Sequence, residues 1–256
     1  MLMKQVEHQQ LIGFSFEGRH FSDGNSAHVF GGRNAANAGN FAFSGGRDLA
    51  AAIKVRATWC DYLGCKPQHL IVGGQTHTAN VEVVTSEHQS RGALSPSTVL
   101  PDCDGLITTV KGLPLYVAVA DCSAVLLTAP GIVGVIHGGW RGLQQRILEV
   151  AVKKIVALGA EPQQIYAGIA PCISAGSYEV GPEVASDCPS AAKYKGRDDR
   201  WQVDVALWAQ QQLLESGLEK SNIELSGIDS GSDQKIFSHR RQGTSAGRNG
   251  LLAILL

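Results

Sequence analysis

Apolar residues run almost unbroken through three consecutive stretches, 115–120, 124–128 and 132–137, each the length of one strand. A strand with one face in water alternates polar and apolar positions, so a continuous run predicts strands buried on both faces. Pro130-Gly131 supplies the turn between the last two. The longer apolar stretch 113–136 is divided by Asp121, Pro130 and Gly131 into strand-sized pieces, which argues against a membrane span. Helical periodicity appears on either side. Residues 48–63 bring Leu49, Ile53, Ala57 and Tyr62 near one face, with Gly64 as a stop. Residues 140–158 carry the stripe Leu143, Ile147, Ala151, Ile155 and Leu158, ended by Gly159, and 203–216 form a further helix. Shorter strands are expected at 69–72, 81–85, 106–109, 165–169 and 251–256, and short strands joined by turns in the Gly- and Asn-rich segment 11–47. Strands and helices interleave without a strict βαβ rhythm. The expected fold is therefore α/β of the mixed α+β kind: mixed β-sheets flanked by helices in one domain, 1–256, rather than a doubly wound sheet.

Composition narrows the function classes. With 44% hydrophobic and 18% charged residues the chain is of ordinary globular make-up, which excludes disorder. The net charge is −1 and Lys and Arg are scattered, so the basic stripe that displaces counterions from a nucleic acid is missing. Residues 1–10 lack the apolar run of a secretory signal. The six cysteines (Cys60, Cys65, Cys103, Cys122, Cys172 and Cys188) are thus expected to be reduced thiols in a cytoplasm, available for metal or chemistry. No membrane or nucleic-acid partner is expected.

Three segments put metal-ligand side chains where a predicted strand hands over to a loop: Gln75-Thr76-His77, Ala120-Asp121-Cys122, and His137-Gly138-Gly139-Trp140-Arg141-Gly142. Two imidazoles and a thiolate suit zinc and leave a fourth tetrahedral position open; copper accepts the same set. The alternative is a pair of packed histidines and a cysteine acting as a small hydrophobe. Gly138 and Gly139 permit close backbone approach at a helix start, and Arg141 adds a cationic fork. The alternative there is a glycine turn packed under Trp140. Asp104 and Asp121 are candidates for proton transfer or for orienting a ligand. Cys172, followed by Tyr178 and Glu179, offers a thiol, a phenol and a carboxylate after a strand, or else a structural turn. Arg240, Arg241 and Arg248 could clamp phosphate, or could sit on a solvated hairpin.

Taken together these segments, with Asp104-Gly105-Leu106-Ile107-Thr108, Ala170-Pro171-Cys172-Ile173 and Tyr178-Glu179-Val180-Gly181, resemble the YfiH-type laccase-domain family, multicopper-oxidase-like proteins also described as purine nucleoside phosphorylases or polyphenol oxidases. The match spans residues 70–256. The resemblance implies a zinc site of His77, Cys122 and His137, and action on purine nucleosides. The implied reactions are phosphorolysis of adenosine, inosine, guanosine or methylthioadenosine, and deamination of adenosine. Copper-dependent phenol oxidation ranks second, because four-electron oxygen reduction uses several copper centres; a metal-binding protein without turnover is the third reading. Cys122, Asp121 and Arg141 are the expected catalytic residues, and Gln75, Gly138, Gly139, Cys172, Tyr178, Arg240, Arg241 and Arg248 the expected substrate contacts. The partners would be purine nucleosides and phosphate, the state a monomer or homodimer. The N-terminal quarter departs from the pattern: Phe14-Ser15-Phe16-Glu17-Gly18-Arg19 and Asn37-Ala38-Gly39-Asn40 stand where the family usually shows a Ser-Thr-Arg segment and an Asn-Leu strand, and His239 replaces a frequent aromatic. If the missing Arg holds phosphate, phosphorolysis is weakened and deamination is not.

Overall fold

The computed structural model describes residues 3–21, 25–34, 39–43 and 48–256, so parts of segment 11–47, Asn37 and Ala38 among them, lie outside the described residues. The chain opens with β1 (Lys4–His8), β2 (Leu11–Ser15) and β3 (Ser26–Gly31), then α1 (Leu49–Tyr62), β4 (Ile71–Val72) and β5 (Val81–Val83). The centre is β6 (Gly105–Thr108), β7 (Leu115–Val119), β8 (Ser123–Ala129) and β9 (Ile132–Gly138), followed by α2 (Trp140–Gln144) and α3 (Ile147–Ala157). After β10 (Tyr166–Ile169) come β11 (Glu179–Val180), α4 (Pro182–Ala185), β12 (Lys193–Lys195) and β13 (Trp201–Val203). The chain closes with α5 (Val205–Glu215), β14 (Ile223–Leu225), α6 (His239–Gln242) and β15 (Asn249–Leu255).

Two six-stranded mixed sheets result, ordered β1-β2-β3-β15-β7-β4 and β14-β10-β8-β9-β6-β5, with a small third sheet β11-β13-β12. Most pairs are antiparallel, but β4 runs parallel to β7, β5 to β6 and β10 to β14. Of the three strands expected to be buried on both faces, β8 and β9 are buried at every residue and β7 at all but the half-buried Ala118; β15 is buried throughout as well. Alternate residues serve different cores. Leu115, Val117 and Val119 of β7 meet Ala124, Leu126, Val133, Val135, Leu251 and Ala253 between the sheets. The opposite face of β8 and β9, through Val125, Leu127 and Ile136, packs on α3 and α5 through Leu148, Ile155, Trp208 and Leu213. The opposite face of β7 and β15, through Tyr116, Leu252 and Ile254, packs on α1 through Val55, Trp59 and Leu63. A helix layer thus covers each outer face of the sandwich. No helix among the described residues is long and apolar enough to cross a membrane.

Two helices differ from their periodicity. The stripe expected on α1 faces outward: Leu49 is 43% and Tyr62 38% exposed, while Ala52, Val55, Arg56, Trp59 and Cys60 are buried. The bulk of Trp59 decides the rotation, since its ring fills the space over Gly13 and Gly31. The single helix expected over 140–158 is two. Arg146 takes a left-handed conformation (φ 62°) and separates α2 from α3, and Leu158 ends 38% exposed. Gln145, at the break, donates through Nε2 to the carbonyl of His77 at 3.3 Å, which ties the end of α2 to the loop carrying that residue.

Candidate metal centre and its cavity

The register of β9 with its two neighbours assembles the site. Gly105 of β6 pairs with Ile136, so Asp104 lies beside His137 on one side, and its carbonyl accepts the His137 backbone N–H at 2.7 Å. Ala124 of β8 pairs with His137 itself, which brings Cys122 to the other side. Cys122 belongs to the turn in which the chain crosses from β7 in one sheet to β8 in the other, and Asp121 there has φ 85°. His77 comes from the loop between β4 and β5, also left-handed (φ 65°). Non-glycine residues rarely adopt this conformation, and where they do, surrounding bonds hold them in it.

Asp104 is the brace. It is wholly buried, and its carboxylate accepts the backbone N–H groups of Thr76, His77 and Thr78 at 3.1, 3.1 and 2.9 Å and the Thr78 hydroxyl at 3.0 Å. The same carboxylate lies 2.7 Å from His137 Nδ1. One anion therefore shapes the His77 loop and accepts the His137 Nδ1–H, so that Nε2 is the nitrogen left to face a metal. Burial alone raises the Asp104 pKa, but the imidazole and the converging N–H groups reverse this and take it to about 2.

The ligand atoms of His77, Cys122 and His137 lie within 4.8 Å of one another, and the two imidazole rings meet edge to face. Burial opposes ionisation of the Cys122 thiol, but His137 and His77 beside it bring it down to about 6. Burial likewise opposes a charged His137, which Cys122 and Asp104 nevertheless raise to about 9. Without metal these directions describe a thiolate beside an imidazolium; a divalent metal would take the thiolate as it stands and displace the His137 Nε2 proton. Gly139 completes the cradle: a Cβ there would stand 2.7 Å from His77 Cδ2, 3.3 Å from Cys122 Sγ and 3.4 Å from His137 Nε2. The residues fit a metal of the zinc or copper type, with two nitrogens, one sulfur and an open side.

That open side faces a cavity of about 860 Å³ lined by His77, Cys122, His137, Asp121, Trp140, Arg141, Tyr178, His239, Arg240 and Arg248 among others. Arg141 lies over Trp140 at 4.1 Å and Arg240 over Tyr178 at 4.8 Å, so each cation is held by a ring at the wall. Burial and the nearby Cys122 push the Tyr178 phenol up to about 12, which keeps it protonated and a hydrogen-bond donor. Asp121 lines the cavity with both oxygens engaged, Oδ1 by the Ser230 hydroxyl and Oδ2 by the Arg240 backbone N–H, each at 2.6 Å. It therefore positions α6 and with it His239 and Arg240. Gln75 also lines the cavity, but its amide is paired both ways with the Ala118 backbone at 2.7 and 2.8 Å.

Besides Gly139, which packs against the ligands, three of the expected contacts are not in the cavity lining. The Arg241 guanidinium donates to the carbonyls of Ser230, Gly231, Asp233 and Ile236 and so pins that loop. Cys172 is buried, and burial with nearby carboxylates holds its thiol well above the usual range. Gly138 packs on Ser123, whose hydroxyl donates to its carbonyl at 2.9 Å. Conversely, Arg56, Tyr116 and Phe43 line the cavity although their local sequence shows no sign of it. The one available signal was a lone Arg amid the apolar residues of α1.

The fold and site describe a sandwich protein with a single accessible His-Cys-His metal cluster among its described residues. The chain belongs to the multi-copper polyphenol oxidoreductase laccase family, whose model matches residues 22–256. It is 32% identical over 224 residues to purine nucleoside phosphorylase ORF3 of Streptomyces griseus, covering 84% of this chain and 87% of that one. It is 29% identical over 228 residues to adenosine deaminase RL5 from an unknown prokaryotic organism, covering 85% and 87%. The crystal structure of YlmD from Geobacillus stearothermophilus superposes with a TM-score of 0.91 at 23% identity, covering 99% of this chain and 98% of that one. The chain is thus similar to enzymes of broadly purine-nucleoside type.

Proposed function

We propose that this chain is a zinc-dependent purine nucleoside enzyme that phosphorolyses adenosine, inosine, guanosine or methylthioadenosine and deaminates adenosine. The carrying observation is the His77, Cys122 and His137 cluster opening into a cavity with arginines on its wall. Relatives named for both activities support the reading. A divalent ion at the cluster supplies, when bound, Lewis-acid chemistry at the cavity floor. In phosphorolysis a phosphate oxygen forms the new bond to ribose C1′ while the glycosidic C1′–N bond breaks. Its electron pair leaves with the base, which then takes a proton. Arginines of the cavity wall orient the anion, and Tyr178 donates a hydrogen bond to the bound nucleoside. In deamination the oxygen of water adds at purine C6 and ammonia departs. Asp104 acts throughout by holding His137 in one tautomer, and Asp121 by holding Arg240.

Chromatography of products from purified, metal-assayed protein with adenosine, with and without phosphate, tests the reading. Adenine formed only with phosphate, together with inosine, is expected. Fully metal-loaded protein that forms neither refutes it. Phenol oxidation ranks second because the described residues bring together one three-ligand cluster, whereas oxygen reduction to water draws on several coppers.

A further inference from the structure

Away from the metal ligands, the wall of the cavity is built from α1 and from the face of β7 that carries Tyr116. Arg56 is only 4% exposed yet reaches this wall. Its Nε donates to the Phe41 carbonyl at 2.9 Å, and Nη1 donates to the carbonyls of Gly92 and Ala93 at 2.8 and 3.2 Å. Phe43 stacks on the guanidinium at 3.6 Å, and the Tyr116 ring lies 4.8 Å from it. The fork is thereby fixed through Nε and Nη1, and the Tyr116 phenol is the side chain it meets. Tyr116 is 1% exposed, and the Arg56 guanidinium beside it acts on its phenol, but no hydrogen bond of good geometry satisfies the buried hydroxyl. A buried hydroxyl without a partner is destabilising unless a ligand or water completes it. Arg248 comes close enough to Tyr116 for its charge to act on the phenol, and its backbone N–H is held by Asn40 Oδ1 at 2.8 Å. The cavity wall as a whole carries Arg56, Arg141, Arg240 and Arg248 against one carboxylate, Asp121, already bonded to Ser230 and Arg240.

We propose that Arg56, Tyr116 and Arg248 form a phosphoryl subsite, taking inorganic phosphate or the phosphate of a nucleotide, separate from the metal ligands. Strand geometry sets the separation: the four residue steps from Tyr116 to Ala120, just past the end of β7, span roughly 13 Å, which leaves room for a nucleoside between the two ends. A phosphoryl group is rich in acceptor oxygens, and the subsite presents the Arg56 guanidinium and the phenol O–H beside the charge of Arg248, whose Nη1 is held by the Ala246 and Gly247 carbonyls. Burial raises the Tyr116 pKa, so the phenol remains a donor at neutral pH. The inference deepens the reading under Proposed function by naming the residues that take the second substrate.

Calorimetric titration of inorganic phosphate into the metal-loaded full chain is the test, with AMP as a second arm. Phosphate is expected to bind, and Tyr116→Phe, which removes one oxygen and nothing else, to weaken it about tenfold. Arg56→Lys is expected to weaken it at least as much; if it fails to fold because three carbonyls lose the fork, Tyr116→Phe still decides. AMP binding that weakens in Tyr116→Phe assigns the subsite to a nucleotide phosphate, and AMP binding unchanged in that variant assigns it to free phosphate. Wild-type protein that binds neither, or Tyr116→Phe protein that binds phosphate as well as wild type, overturns the inference. Kinetics keep the two readings apart. Tyr116-dependent phosphate binding without nucleoside turnover sinks the proposed reaction alone. Turnover with the phosphate KM unchanged in Tyr116→Phe sinks the subsite alone.

Discussion

Replacing Gly139 by Ala should separate the metal site from the stability of the fold. Gly139 caps α2 at φ −69° and ψ 158°, a conformation any residue adopts, so the backbone takes Ala without strain. Ala in place of Gly at a helix N-cap costs only up to about 1 kcal/mol. The added methyl, however, would stand 2.7 Å from His77 Cδ2, and ordinary contact begins at 3.4 Å. The imidazole must therefore move by about 0.7 Å, several times the roughly 0.2 Å within which metal–ligand distances are held. It cannot move freely, because the backbone N–H groups of Thr76, His77 and Thr78 are all fastened to Asp104. Metal affinity should fall by about 100-fold, the upper end of the range for disturbing a ligand's support. A competition assay with a chromophoric chelator reads the affinity, and urea unfolding of the metal-free proteins reads the stability. Equal metal affinity in Gly139→Ala and wild type would show that the three side chains do not converge on one ion. A metal-free variant that is unfolded would show that the glycine serves the fold instead.

Asp104→Asn is expected to act on both quantities, since an amide turns one acceptor oxygen into a donor that faces backbone N–H groups or His137. Metal affinity should drop by about 10- to 100-fold and stability by roughly 2–4 kcal/mol, read by chelator competition and urea unfolding. A metal-independent pH effect should come from His28, which is 4% exposed and whose Nε2 accepts the Phe16 backbone N–H at 3.0 Å. Burial lowers its pKa to about 4, so between pH 6.5 and 4 the unfolded chain takes up a proton that the folded one refuses. Stability should therefore fall as pH drops through that window, by about 3 kcal/mol in all. Urea midpoints of wild type and His28→Asn across the window check this; an equal slope in both removes His28 as the cause.

Much of this molecule was legible in the order of its residues. The continuous apolar runs at β7, β8 and β9 announced strands buried on both faces, and the capped helices α1 and α5 appeared within two residues of their expected bounds. His77, Cys122 and His137 stood out because a thiol and two imidazoles at strand ends are an unusual set to leave without a task. Other features were illegible because they depend on contacts between distant segments. A uniformly apolar strand gives no clue to which alternate residues enter which core, so nothing local showed that Tyr116 faces α1 while its neighbours face the opposite sheet. The buried side of α1 was hidden for the same reason: Trp59 turns the helix by filling the space over Gly13 and Gly31, and Arg56 goes inward with it. Arg240 and Arg241 are adjacent and chemically identical, yet one reaches the cavity and the other is spent on four loop carbonyls. Residue chemistry along the chain determined which groups could bind a metal or an anion. Strand register and the crossing between sheets decided which of them meet, because a side chain's neighbours come from the packing of remote elements, and local pattern carries no record of that.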